Sequence, residues 1–429
     1  MERRCEKRQF NPGECQVVAV DVSQKKLNWY TEEPGPGGRI LERENLLANR
    51  TGAIGELLDG LQALADRHGK TLMVVCEPTG GYERKLLRLA RSRGVLTWYV
   101  SGEATHKLTI LESNDTGKND PKDARVIYRV ASLRTALLTD RQTAPGYERL
   151  RELNSFYEDE DGQIVQVRNA ICALLGKLFC DCSFSNEFIF SKTGLAFVAL
   201  YGGNPYRAVV DGWEGFQQKM QGVCRRTRPE TRLKLWQDIQ SSVRLLSPPG
   251  VVASWEQRLA LLLEDWHRHT ARKAALKEEM LRLYERLPEA ARLTATGVSD
   301  FALARVIAET GPLADYRSWH QLLRLAGLNL KIRQSGARRG LTCISKKGRS
   351  LLRKVLYQLA FSVLTQGRGL FAEYFKGRRQ EKHPVPAKKL YVNVMRKFLR
   401  ALLGAYRDGG FIRDRVFLDQ SCYAARRAA

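Results

Sequence analysis

Lys118-Asn119-Asp120-Pro121-Lys122-Asp123-Ala124-Arg125 sets two carboxylates three residues apart where a helix is due to begin. Asp120 before Pro121 reads as an N-cap followed by a proline in the first helical turn, and Val126, Ile127, Val130 and Leu133 continue a helical spacing. Positions i and i+3 share a helix face, so Asp120 and Asp123 fall on the same side, with Lys118, Lys122 and Arg125 around them. Taken alone, the stretch reads equally well as a cap, in which Asp120 accepts backbone N–H groups and Asp123 favours the positive helix end. Its neighbours decide between the two.

Upstream, Cys15 to Asp21 reads as a buried strand, Leu27 to Thr31 as its hairpin partner, and Arg39 to Glu44 as a third strand after the turn at Pro34-Gly-Pro-Gly-Gly38. A helix is expected from Thr51 to His68, a strand from Thr71 to Glu77, a helix from Tyr82 to Arg93 and a fifth strand from Val95 to Val100. This order describes a mixed α/β sheet with helices packed on it. It places Asp21 at the end of the first strand and Glu77 at the end of the fourth. If those strands are neighbours, both carboxylates leave the sheet at one edge, where α/β folds commonly build sites. Singly, Asp21 is a strand-end turn residue and Glu77 a loop carboxylate before Pro78-Thr79-Gly80-Gly81. Four carboxylates converging with Asp120 and Asp123 would repel, and a cation is the natural way to keep them ionised. All-oxygen ligation suits Mg²⁺ or Mn²⁺, and a pair of such ions can stabilise attacking and leaving oxygens in phosphoryl transfer.

Val-Asp-Val-Ser at Asp21, Cys-Glu-Pro-Thr-Gly-Gly-Tyr at Glu77 and Lys-Asn-Asp-Pro-Lys-Asp-Ala at Asp120 resemble the signature of the DEDD insertion-sequence transposases, the bridge-RNA-guided recombinases. The resemblance implies a RuvC-like, ribonuclease-H-like N-terminal domain with Asp21, Glu77, Asp120 and Asp123 as a metal-binding tetrad. It also implies a guide RNA read by base pairing and a catalytic site shared between protomers of a dimer or tetramer. The expected division is an N-terminal tail over 1–14, the RuvC-like domain over 15–140, a helical coiled-coil region over 141–290 and a helical C-terminal transposase domain over 291–429.

Downstream, a helix is expected from Tyr147 to Phe179. The stretch 180–250 carries short helical pieces to which no role attaches. Trp255, Leu259, Leu262, Trp266, His269, Lys273, Leu276, Met280, Leu283 and Leu287 then form a heptad seam, polar at His269 and Lys273. A second protomer and an antiparallel helix of the same chain remain equally open as its partner. Leu293 to Gly311 resembles a helix-hairpin-helix, with Ser299 where a glycine is usual.

The charge is uneven. Lys plus Arg outnumber Asp plus Glu by 71 to 46, and residues 331–429 hold 24 basic against 5 acidic side chains. That balance points to a polyanionic partner. Within it, Ala326 to Lys354 is similar to the C-terminal domain of the same transposases, whose Ser-Gly dipeptide carries the nucleophile; Ser335-Gly336 matches it. From the residues alone, Ser335 is a hydroxyl in a basic loop that needs activation to attack. Arg333, Arg338, Arg339, Lys346, Lys347, Arg349 and Arg353 are the expected phosphate contacts. Lys388 to Gly409 reads as a basic amphipathic helix docking through Leu390, Val394, Phe398 and Leu402, with Tyr391, Arg396, Lys397 and Arg400 able to face nucleic acid.

Other chemistries are poorly served. No phosphate-binding Gly-x4-Gly-Lys-Ser/Thr loop occurs, the nine cysteines form no metal or disulfide pattern, and no run of eighteen apolar residues exists to span a membrane. The expectation is a cytoplasmic DNA recombinase, in a bacterial or archaeal nucleoid, acting on donor and target DNA through a serine–DNA intermediate. Its rivals are a RuvC-like junction-resolving nuclease that uses water and a non-catalytic nucleic-acid-binding scaffold.

Overall fold

Gln16 to Val20 are buried without interruption, as in a strand covered on both faces. In the computed structural model this segment is β1 (Cys15–Val22). The structure describes residues 14–113, 120–133, 137–139, 144–180, 185–293, 298–331, 334–335, 338–339, 343–367, 370–381 and 383–409, in two compact units divided after Gln142.

The first unit runs β1, β2 (Lys26–Pro34), β3 (Ile40–Ala48), α1 (Thr51–Arg67), β4 (Thr71–Cys76), α2 (Arg84–Ser92), β5 (Leu96–Val100), α3 (Gly102–Ser113), α4 (Asp120–Ser132) and β6 (Leu137–Thr139). Sheet order is β3-β2-β1-β4-β5-β6. β1, β4 and β5 are parallel, and the remaining pairs are antiparallel. Because side chains alternate along a strand, Val18, Val20, Val22, Val74 and Cys76 pack with Ile54, Leu58, Leu86 and Leu87 of α1 and α2 on one face. Val17, Ala19, Met73 and Val75 pack on the other face with Val126, Ile127, Val130 and Ala131 of α4. A three-strand meander leading into parallel strands, with helices on both faces, is the ribonuclease-H-like arrangement expected.

Two elements of this unit escape the sequence reading. In α3 the apolar residues mark no continuous buried stripe, since Ile110 and Leu111 are exposed, and β6 is a three-residue edge strand. β3 extends to Ala48, beyond the expected Glu44, because it is held by its pairing with β2 while its own side chains are almost all exposed.

In the second unit, α5 (Pro145–Leu178) is followed by α6 (Asn186–Ile189), α7 (Lys192–Tyr201), α8 (Pro205–Val210), α9 (Gly212–Val223), α10 (Pro229–Val243) and α11 (Pro249–Tyr284). Arg149 pairs with Glu279, Glu160 with His269 and Asp161 with Lys273, so α5 and α11 run antiparallel. The heptad seam of α11 is thus met by a helix of the same chain, and its polar positions are answered by carboxylates. Ile171, Leu174 and Leu178 of α5 and Leu259 of α11 share a core with α7 to α10. Tyr147, Leu150, Leu153, Met280 and Tyr284, at the other ends of the two helices, join the C-terminal core.

That core is completed by α12 (Pro288–Arg292), α13 (Asp300–Thr310), α14 (Trp319–Ala326), the two-residue strands β7 (Leu330–Lys331), β8 (Gln334–Ser335), β9 (Arg338–Arg339) and β10 (Cys343–Ile344), then α15 (Ser350–Gln366), α16 (Leu370–Arg379) and α17 (Ala387–Asp408). α17 buries Leu390, Val394, Phe398 and Leu402 and ends at Gly409, whose φ of 63° is left-handed. Among the described residues no helix is long and apolar enough to cross a membrane.

Arg305 lies inside this unit. Its guanidinium donates to Asn154 Oδ1 at 3.0 Å, to Gln358 Oε1 at 2.9 Å and to Glu158 Oε1. Asn154 in turn donates to Glu309 Oε1 at 3.0 Å. The network adds polar ties between α5, α13 and α15 to the apolar core they share. Truncation by Arg305→Ala removes the donors to Asn154 Oδ1, Gln358 and Glu158, which keeps Lys354 as its partner, and is expected to cost about 1–3 kcal/mol in urea unfolding.

Candidate active site

The β1–β4 register brings the first two acids together. Val20 pairs with Cys76, so Asp21 and Glu77 stand one residue further along two adjacent parallel strands. Neighbouring strands are roughly 4.8 Å apart. Both acids have the parity of Val17, Ala19, Met73 and Val75, and therefore sit on the face that α4 covers.

α4 is keyed onto that face. Tyr128 meets Tyr30 of β2 edge to face at 5.2 Å. Arg125 lies 5.3 Å from the same Tyr30 ring and pairs with Glu42 and Glu44 of β3, each at 3.0 Å. Arg125 is thereby drawn to the exposed edge strand, away from the role around the acids that the sequence suggested. Asp123 is half-buried, one turn before the buried Val126 and Ile127, and so belongs to the sheet-facing side of α4. Asp120 opens α4; its side chain, like those of Lys118 and Lys122, lies outside the described residues.

Two supporting groups were not found from sequence. The Thr105 hydroxyl, from the second turn of α3, donates to Glu77 Oε1. A Cβ at Gly102 would be 4.0 Å from both Glu77 oxygens, so this carboxylate lies at the start of α3, the positive end of the helix. Behind it, buried Glu83 accepts from Thr79 Oγ1 at 2.6 Å and from the Gly81 N–H at 2.9 Å, bracing the loop that follows Glu77. Burial works against ionisation of Glu83, but these hydrogen bonds outweigh it and hold its carboxyl below the usual range. Only the spacing of Thr79 and Glu83 around two glycines could have signalled the brace; nothing marked Thr105.

Asp21 and Glu77 thus share a sheet edge and a face, and Asp123 stands on the helix that packs on that face; carboxylate oxygens are the donor type that a hard divalent cation takes. Among the described residues no group of three or more acids, histidines or cysteines is arranged as a ready metal cage. The fourth acid of the set, Asp120, falls outside that comparison.

Ser335 belongs to the second unit. Lys331 pairs with Cys343 and Leu330 with Ile344, and further out Ser335 pairs with Arg338 and Gln334 with Arg339. The two ladders are nested, so β7 to β10 form an arm with the Ser335–Arg338 pair farthest from its base. The side chains of Ser335, Arg338 and Arg339, and all of Arg333, lie outside the described residues.

The base of the arm is tightly built. At Gly348, where φ is +143°, a Cβ would fall 2.3 Å from the Leu325 carbonyl oxygen. The Arg349 N–H donates to that same carbonyl at 2.7 Å. Arg349 Nη1 donates to Glu309 O, and Arg353 Nη1 to Ala326 O at 3.0 Å. These two arginines, expected at phosphates, spend guanidinium donors on helix-end carbonyls, whereas Lys346 and Lys347 are exposed. Ser299 caps α13 through the Ala302 N–H, an ordinary helix start at the resemblance to a helix-hairpin-helix.

Two family models match the chain. A DEDD model of the IS110 group, described as Transposase, covers residues 18–180 and takes in Asp21, Glu77, Asp120 and Asp123. A second, described as Transposase IS116/IS110/IS902 family, covers residues 291–376 and takes in Ser335. No curated protein matches the chain.

Replacing Thr105 by Val removes the donor to Glu77 and is expected to weaken Mn²⁺ binding about 10–100-fold in calorimetric titration, with melting little changed. Glu83 has a depressed pKa, so its stabilising contribution is complete above its unfolded value near 4.5 and is lost as pH falls through the lower folded value. Acid unfolding curves of wild type and Glu83→Gln should accordingly converge on acidification and separate above about pH 5.

Proposed function

Because the chain belongs to the IS110-type DEDD transposases, we propose that it excises and inserts a mobile element by transesterification, with Ser335 as nucleophile. The observation that supports this best is the placement of Asp21 and Glu77 on adjacent parallel strands beneath the helix carrying Asp123. A scaffold that only binds nucleic acid has no use for such an arrangement.

In this reading Ser335 Oγ attacks a DNA phosphate. Its proton is lost as the Oγ–P bond forms, and the bond from phosphorus to a deoxyribose oxygen breaks, that oxygen taking a proton to leave as a free hydroxyl. A hydroxyl of the second DNA then displaces serine, restoring its proton. One phosphate ester replaces another at each step, so no nucleotide is hydrolysed. Two divalent ions, Mg²⁺ or Mn²⁺, held by Asp21, Glu77, Asp120 and Asp123, would supply positive charge opposite the phosphate and the departing oxygen.

The chain's own groups prepare this chemistry. Thr105 orients Glu77, and Glu83 steadies the loop beyond it. Arg349 and Arg353 fix the base of the arm that presents Ser335. Arg333, Arg338, Arg339, Lys346 and Lys347 supply phosphate contacts along it. The acids and the serine belong to different units, so the reaction requires that they meet at one phosphate in the working complex, a dimer or tetramer in this proposal. A guide RNA selecting donor and target by base pairing completes the reading, leaving the protein to recognise backbone and shape.

The decisive experiment incubates the protein with donor DNA and Mg²⁺, denatures it and digests the products. A DNA-bound peptide containing Ser335 is expected, with none from Ser335→Ala, and Asp123→Asn should lower adduct yield about a hundredfold or more. Cleaved DNA with free ends from Ser335→Ala would mean that water is the nucleophile.

A further inference from the structure

Beyond the arm, the second unit carries an exposed cluster of aromatic rings. Tyr357 and Phe361, one turn apart on α15, are 47% and 51% exposed. Tyr391 of α17 lies beside both, its ring 5.2 Å from Tyr357 and 6.4 Å from Phe361, the latter pair within 17° of parallel. Phe375 of α16 abuts Tyr391 edge-on at 5.6 Å. Three helices converge to hold these rings at the surface, although the apolar core directly beneath is already filled by Leu356, Leu359, Val394 and Phe398.

The two helices that carry the exposed rings are basic around them, and the acids in view are Glu373 of α16 and Glu158 and Asp161 of α5 at Lys354. No acidic residue occurs between Lys331 and Ala372 or between Lys382 and Arg407. On the exposed side of α15, Lys354 precedes Tyr357 by one turn, its ammonium shared with Glu158 of α5, and exposed Lys388 precedes Tyr391 by one turn on α17. A second copy of the chain is a poor occupant, because two such faces brought together oppose lysine to lysine. Duplex DNA is poor as well, since paired bases have their faces already stacked. Unpaired nucleotides fit both properties: their bases stack on aromatic rings, and their phosphates meet the lysines.

We propose that Tyr357, Phe361 and Tyr391 form a stacking platform for single-stranded DNA next to the strand that Ser335 attacks. The source of that strand follows from the chain. α15 begins at Ser350, immediately after the arm, and at 1.5 Å per residue Tyr357 and Phe361 lie roughly 10 and 16 Å along it from the arm's base, so a strand engaged by the arm can continue onto the rings. The inference rests on the strand-transfer reading for its choice of DNA. Its chemistry is tested without catalysis.

The test is fluorescence anisotropy of labelled oligo(dT) with the full chain. The double variant Tyr357→Ala/Phe361→Ala should raise Kd at least about tenfold, with duplex binding and melting temperature unchanged, and Tyr357→Trp/Phe361→Trp should bind as wild type. Ser335→Ala should bind normally, which separates failure of this platform from failure of the serine chemistry. The proposal is overturned if the alanine variant stays within twofold of wild type, if duplex binding falls equally, or if only oligo(rU) binding depends on the rings.

Discussion

The parallel pairing of β1 with β4 is the constraint on which the acid site depends. It aligns Val20 with Cys76, and so delivers Asp21 and Glu77, more than fifty residues apart in sequence, to neighbouring positions on one face. A slip of one residue would turn one of the two to the opposite face, among the packing of α1 and α2. The register is therefore specified by the hydrophobic sets on both faces at once. Val18, Val74 and Cys76 are wholly buried on one side, and Ala19, Met73 and Val75 on the other. A slip of one residue breaks both layers, and the position of the carboxylates follows from that packing.

The second unit solves a different problem. Its arm leaves a helix end and returns to another, and two-residue ladders hold little by themselves. Rigidity comes from below. Gly327 and Gly348 let backbones approach where any side chain would collide, Arg349 and Arg353 occupy the last carbonyls of α13 and α14, and Arg305 links α13 to α5 and α15. Basic residues in this region therefore do two jobs that composition cannot separate. Arg349 and Arg353 neutralise helix-end carbonyls within the chain, and exposed Lys346 and Lys347 are the ones left for the proposed phosphate contacts.

How much was legible in the sequence follows the same division. Continuous buried runs gave β1 and β4 their ends, and the helical spacing after Asp120 gave α4, because each is a local pattern with a strong apolar signal. The seam of α11 was equally plain, yet its partner was not, since the apolar stripe of α5 fits an antiparallel neighbour as well as a second copy would. Thr105 could not be seen at all. It acts through a contact between the second turn of α3 and a strand end 28 residues away, and α3 itself lacks the periodicity that would announce it. The inward use of Arg349 and Arg353 was hidden for the complementary reason: a dense basic run reads as surface until the neighbouring carbonyls are in view.

These observations also bear on the proposal that Ser335 is the nucleophile. A hydroxyl gains little from a nearby arginine unless it is held where attack is in line with the departing oxygen. Ser335 pairs with Arg338, with only Gly336 and Ala337 between them in sequence, so its backbone is held by the ladder. Asp21 and Glu77 are placed by the β1–β4 register, and Asp123 by α4. On the proposed reading, acids and serine belong to different units and must be brought to one phosphate. In that proposal strand exchange would benefit from the separation: a serine joined to one DNA end would keep its place on its own unit while the partner hydroxyl changed, and the acid site would keep the register set by β1 and β4.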